Sequence, residues 1–253
     1  MDVSTLVNTQ LQLGQLAQAG GTSSATSVGK LMAPATQRVE RELQSTNVKL
    51  SAYGQIKSAF AGAETAAGTL TRTAKSKTAT DADVQKAAQA FVAAYNQASQ
   101  TVAAATDASA KQPGALASEG RARSAGADLS RSLTAGNSLS DLKQAGISLG
   151  KNGTLTLDTK AFAQALQSNP SQTKAALASL GQQVNTAADR ELASSGNVGT
   201  SVNRLSSRAQ TLAAQQTALQ QQASSLQATL GKQGAALDYV TASGLAAYRN
   251  ILG

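Results

Sequence analysis

The sequence predicts a mainly α protein: a long coiled-coil leg made from N- and C-terminal helices, plus a small helical inner domain with one β-hairpin. Three patterns lead to that class. Leu205, Leu212, Leu219 and Leu226 recur every seven residues in a stretch otherwise rich in Gln, Ala, Ser and Thr. Such a 3.5-residue repeat is the seam of a helix that packs along another helix. A second stripe, Val39, Leu43, Leu50, Tyr53 and Phe60, marks an amphipathic helix near the N-terminus, and the clearest β signal lies between Ile147 and Leu157.

Each element has its own local reason. Residues 1–29 end in Gly20-Gly21-Thr22-Ser23-Ser24-Ala25-Thr26-Ser27, which is linker chemistry and predicts disorder or a weak helix. The leg helix is expected over 30–72, with its regular part starting near Pro34, because proline is tolerated in a first turn and not in a helix interior. The polar run Thr73 to Asp83 is a connection, and Asp81 or Asp83 can cap the next helix, striped by Val84, Ala88, Phe91, Val92, Tyr95 and Val102. That helix should end before Lys111-Gln112-Pro113-Gly114, and another should run from about Ser118 to Leu133, with Leu129 and Leu133 opposite its arginines. Ile147-Ser148-Leu149 and Thr154-Leu155-Thr156-Leu157 alternate apolar and polar residues, and the intervening Asn152-Gly153 supplies the positive-φ pair of a tight turn. Asp158 caps a helix through Phe162 and Leu166 that stops at Ser168-Asn169-Pro170, and Ser171 can cap a short helix through Leu177 and Leu180. The inner α+β domain is thus expected over 84–184 and the C-terminal leg over 185–253.

The leg seam is thin. Its companion positions are Val202, Ala209, Gln216, Ala223, Leu230 and Leu237, so small and polar residues alternate with leucine. Gly231, Gly234 and Gly244 interrupt the last apolar positions, at about 1 kcal/mol each relative to Ala, and the expectation is an end that stays mobile until it packs into a larger assembly. The repeat fits two arrangements, a helical hairpin within one chain and a seam between chains, and the sequence leaves both open.

Composition narrows the function. Histidine, cysteine and tryptophan are absent, which removes imidazole acid–base chemistry, Cys or His nucleophiles and the commonest zinc sites. No cofactor or metal is expected and an enzyme is disfavoured. The carboxylates Asp81, Asp83, Asp158 and Asp189 read as caps or solvated groups, and Gly150-Lys151-Asn152-Gly153 lacks the spacing of a phosphate loop. The net charge of +8 raises nucleic acid or an acidic surface as a partner. Against that, the basic residues are scattered, the densest cluster being Arg72, Lys75 and Lys77, with no interleaved aromatics to stack bases. No segment reaches the ~18 to 20 apolar residues that span a bilayer. Asp2 and the polar Asn8, Gln10, Gln12 and Gln15 do not read as a secretory signal. Absent cysteines suit either a cytoplasmic life or export of an unfolded chain.

Leu139-Ser140-Asp141-Leu142, Gly146-Ile147-Ser148-Leu149, Asn152 through Asp158, Ala165-Leu166 and Asn169-Pro170 together closely resemble the C-terminal conserved region of the bacterial flagellar filament-capping family, hook-associated protein 2. Ala90-Phe91-Val92-Ala93-Ala94-Tyr95-Asn96, Gly114-Ala115-Leu116-Ala117 with Arg121 to Ser124, and Lys49 through Phe60 are similar to its other segments, in family order. The resemblance implies a helical leg, oligomerisation at the filament tip to assist flagellin assembly, and contacts with flagellin, hook-associated proteins and an export chaperone. It also implies an extracellular position reached through the flagellar type III apparatus. In the family a large β-rich head separates the N-terminal helix from the Phe91 helix; here 73–83 stands in its place. Two other roles stay open: a headless paralogue acting as a regulator or chaperone partner, and a basic coiled-coil adaptor for nucleic acid or an acidic surface.

Overall fold

A computed structural model describes residues 24–134, 139–150 and 152–252; side chains of 24–27, 29, 31, 139, 234–238 and 240–252 fall outside the description. The elements are α1 (Ser24–Lys75), α2 (Asp81–Thr106), α3 (Gly120–Ser132), α4 (Leu139–Gln144), β1 (Ile147–Leu149), β2 (Leu155–Leu157), α5 (Thr159–Ser168), α6 (Pro170–Leu192) and α7 (Asn197–Leu252). This is the mainly α class the sequence predicts, with one antiparallel hairpin, β1 against β2. The chain divides into two compact units, an outer one from 1–45 with 208–253 and an inner one from 46–207.

In the inner unit the stripe of α1 is fully covered: Tyr53, Ile56, Phe60, Ala63, Ala67 and Leu70 have no exposed surface. They belong to one apolar core with Phe91 and Tyr95 of α2, Leu129 of α3, Phe162 of α5, Leu177, Leu180 and Val184 of α6, and Val198 and Leu205 of α7. Small residues let two helices come close. A methyl group at Gly181 of α6 would stand 2.5 Å from Thr71 Oγ1 and 2.6 Å from the Ala67 carbonyl of α1. Beside that approach the Asn185 amide donates to the Glu64 carbonyl at 3.0 Å.

The hairpin is fastened by a side chain from α2. Asn96 Nδ2 donates to the Leu155 carbonyl at 2.8 Å, and the Leu155 N–H donates to Asn96 Oδ1 at 2.7 Å. Its amide therefore completes the backbone pairing of β2 as a further strand would. The register pairs Ile147 with Leu157 and Leu149 with Leu155, placing all four apolar side chains on one face. Gly146 enters β1 at φ +74°, and a methyl there would lie 2.8 Å from the Phe162 nitrogen, so both backbone angle and space require glycine.

Several local expectations change. α1 runs from Ser24, inside the segment expected to be disordered or weakly helical, and continues through Pro34 instead of starting there; residues 1–23 lie outside the description. Pro34 and Lys30, whose carbonyl loses its helical partner, are both exposed, which leaves that carbonyl to water. The N-cap of α2 is Thr80, with Asp83 completing a capping box from the third helical position. Asp158 does cap α5, accepting from the Lys160 and Ala161 N–H groups at 3.0 Å. α6 begins at Pro170 behind Asn169 and runs to Leu192, so Ser171 is not its cap and the helix is not short. Among the described residues of the hairpin loop only Gly153 has positive φ, at +76°. Asn152 instead accepts the Thr154 N–H at 3.2 Å and its hydroxyl at 2.7 Å, an Asx-type turn inside a longer loop. α7 is helical through Gly231, Gly234 and Gly244 to Leu252.

Asn96→Ala should lower unfolding stability by about 1 to 3 kcal/mol, because it strands a donor and an acceptor of β2. Urea denaturation monitored by circular dichroism measures this, and an unchanged midpoint would contradict the fastening role.

Candidate assembly seam

The residues expected from the sequence to form a seam lie on α1 and α7, and each unit pairs these helices through its own contacts. In the outer unit Arg208 grips Glu42, with Nε 3.0 Å from Oε1 and a second hydrogen bond from Nη2 to the same oxygen. Gln216 Nε2 donates to Glu40 Oε1 at 3.4 Å. The later residue on α7 meets the earlier one on α1, so the helices run antiparallel there. Leu212 is 1% exposed and Val39 is 6% exposed. Leu43, Leu219, Leu226 and Leu230 are half-buried, and the side chain of Leu237 lies outside the described residues. Coverage along the repeat thus weakens beyond Leu212, where the companion positions are Gln216 and Ala223.

In the inner unit Tyr53 and Phe60 are fully buried, Leu205 is buried, and Leu50 and Val202 are half-buried against the core. The pairing also carries an ionic bridge that spacing did not reveal. Lys49 Nζ of α1 lies 2.7 Å from one oxygen of Glu119, and Arg204 of α7 lies 3.6 Å from the other. Glu119 is the residue just before α3, so one carboxylate ties three helices. The Lys49 hydrogen bond holds the Glu119 carboxyl below its ordinary range; burial opposes that, and the charges of Lys49 and Arg204 add to it. The partners are separated by 70 residues on one side and 85 on the other, a distance at which no sequence period connects them.

Asn152 is exposed and Gly153 half-buried at the hairpin end. Neither carries a titratable group, and what they shape is the loop. Among the described residues there is no group of three or more His, Cys, Asp or Glu side chains placed to hold a metal ion. No described helix is long and apolar enough to cross a membrane.

A family model for the flagellar hook-associated protein 2 C-terminus matches residues 38–244. The chain belongs to that family. The match runs from Arg38 on α1, through every element of the inner unit, to Gly244 on α7. Hook-associated protein 2 is a structural component of the bacterial flagellum, and membership assigns this chain a structural, filament-cap-like role in it. No curated protein sequence matches the chain.

Two substitutions test the seam. Leu212→Ala should cost about 2 to 4 kcal/mol in helix pairing, and Leu226→Ala distinctly less, as read by thermal melting of α-helical signal; equal losses would contradict the graded burial. Glu119→Gln should cost about 1 kcal/mol at neutral pH, since the bridge is partly open to solvent. The lowered folded-state pKa makes the bridge's contribution present above 4.5 and lost as pH falls through the folded value. The stability difference between wild type and Glu119→Gln, measured in urea, should therefore shrink on acidification; a difference that stays constant would rule the bridge out.

Proposed function

We propose that the chain is a filament-cap subunit that oligomerises at the flagellar tip, touches flagellin and hook-associated proteins there, and assists flagellin assembly. The family match over residues 38–244 carries this reading, because it includes both helices of the pair together with the inner unit. In this reading 30–72 and 185–253 form the leg and 84–184 the inner domain. Half-covered leucines on α7 give neighbours a weak apolar stripe to share. Export through the type III apparatus, aided by a chaperone, agrees with a chain that has no cysteine to cross-link while unfolded.

One observation favours a second reading. Only residues 76–80 separate α1 from α2, too few to form a further domain at the position where the resemblance implies an outer head. A headless member could serve as a regulator or as a chaperone partner without building a tip.

Light scattering coupled to size exclusion, over a concentration series, separates the two. A discrete oligomer of several subunits, with immunolabel at filament ends, is expected for the cap. A strict monomer at every concentration, with label confined to the cell, would contradict it and favour the regulator.

A further inference from the structure

Glu191 sits in the last turn of α6 with 3% of its surface exposed. The C-terminal end of a helix is an unfavourable place for negative charge, and burial adds to the penalty. Its oxygens nevertheless organise the next helix. Oε2 accepts the Asn197 N–H and Oε1 accepts the Asn197 side-chain amide, each at 3.1 Å. The corner between α6 and α7 is tight: the Gly196 N–H donates to the Ala193 carbonyl at 2.9 Å, and a methyl on Gly196 would fall 2.5 Å from the Glu191 carbonyl.

A second carboxyl group, Asp128 of α3, shares a cleft with Glu191. Both line a cleft of about 220 Å³ with Arg131, Ser132, Gln183 and Arg190, which gives water a path to them. Among the described residues, the charged groups facing Glu191 are Asp128 and Arg131 from α3 and Arg190 from α6, while α7 supplies the neutral Asn197. Arg131 is engaged by Asp128, one helical turn away on α3. Two carboxylates that share a cleft, one of them buried, repel each other, and a single proton taken up by the pair relieves that repulsion.

We propose that Asp128 and Glu191 hold a single proton between them, carried on Glu191, and that its loss loosens the grip of α3 on the α6–α7 corner. The arrangement is a pH-sensitive clasp inside the inner unit. Burial, followed by the neighbouring Asp128, raises the Glu191 carboxyl above its ordinary value, against the pull of Asn197. The Arg131 bond, opposed by burial and aided by Glu191, lowers Asp128. The proton rests on Glu191 because that residue is the more buried, while Asp128 keeps about a third of its side chain exposed and is paired with Arg131. A raised folded-state pKa makes the clasp's stabilisation complete below 4.5 and lost as pH rises through the Glu191 value. Asp128 works in the opposite direction and lower, losing its contribution as pH falls below 3.8, so it does not act in the same window.

The test is a carbon-13 NMR titration of side-chain carboxyl groups in the full chain, with urea denaturation across the same pH series. Glu191, assigned by its disappearance in Glu191→Gln, should titrate with a midpoint above 4.5. Asp128→Asn should move that midpoint downward, because it removes the neighbouring negative charge. Wild-type stability should fall as pH rises through the midpoint, and Glu191→Gln should lose that component of the slope whatever its absolute stability, since an amide is uncharged at every pH. A Glu191 midpoint at or below 4.5, or the same pH slope in wild type and Glu191→Gln, would overturn the clasp. Should Glu191→Gln fail to fold, the titration shift between wild type and Asp128→Asn decides the matter.

Discussion

The buried stripe of α1 from Ala52 to Ala74 is the constraint on which the inner unit depends. The chain has only three Phe and four Tyr, so large side chains are scarce and their placement matters. All three Phe, together with Tyr53 and Tyr95, are fully buried in the inner unit. Phe91 and Tyr95 hold their rings at a centroid distance of 6.3 Å, within the range where tilted aromatic pairs attract. Elsewhere alanine and glycine set the spacing, and Gly181 against Ala67 and Thr71 is where that economy is most visible. A core of this kind gains its area by close helix approach rather than by side-chain bulk.

Polar groups then finish what the apolar stripe begins. Asn96 substitutes for a missing strand beside β2, and Glu119 joins α1 and α7 through Lys49 and Arg204. Glu191 ties the end of α6 to the start of α7 through Asn197 and shares a cleft with Asp128 of α3. These three side chains come from three different elements or their edges, and each resolves a specific unsatisfied backbone group or charge. Tyr53 stands apart, since its hydroxyl is buried with no partner among the described residues. Its ring contributes area to the core while its oxygen costs solvation.

Periodicity made the helices legible, because burial of one face repeats at 3.6 residues whatever the partner. Of the stripe Val84, Ala88, Phe91, Val92, Tyr95 and Val102, all are buried as the spacing implied except Val92, which is half-buried against the core, and Leu129 and Leu133 are buried while Arg121, Arg123 and Arg131 face water. Helix ends were less legible, since capping depends on competition among adjacent residues: Thr80 prevails over Asp81, and Asn169 with Pro170 prevails over Ser171. Pro34 misled because an exposed position makes the lost hydrogen bond tolerable. The Asn152-Gly153 pair misled because Asn152 bonds Thr154 instead of adopting positive φ. The bridges of Glu119 and Glu191 were invisible, for each joins residues that only the fold brings together.

The family assignment gives these features a common setting, a structural protein of the flagellum whose terminal helices pair lengthwise. That pairing within one chain is the central structural claim, and the absence of native cysteine permits a clean test. Glu42→Cys and Arg208→Cys, introduced together and oxidised at low protein concentration, should give an intramolecular cross-link that migrates as a monomer. A product consisting of disulfide-linked dimers, with no cross-linked monomer, would mean that α1 pairs with α7 of another chain and would contradict the account.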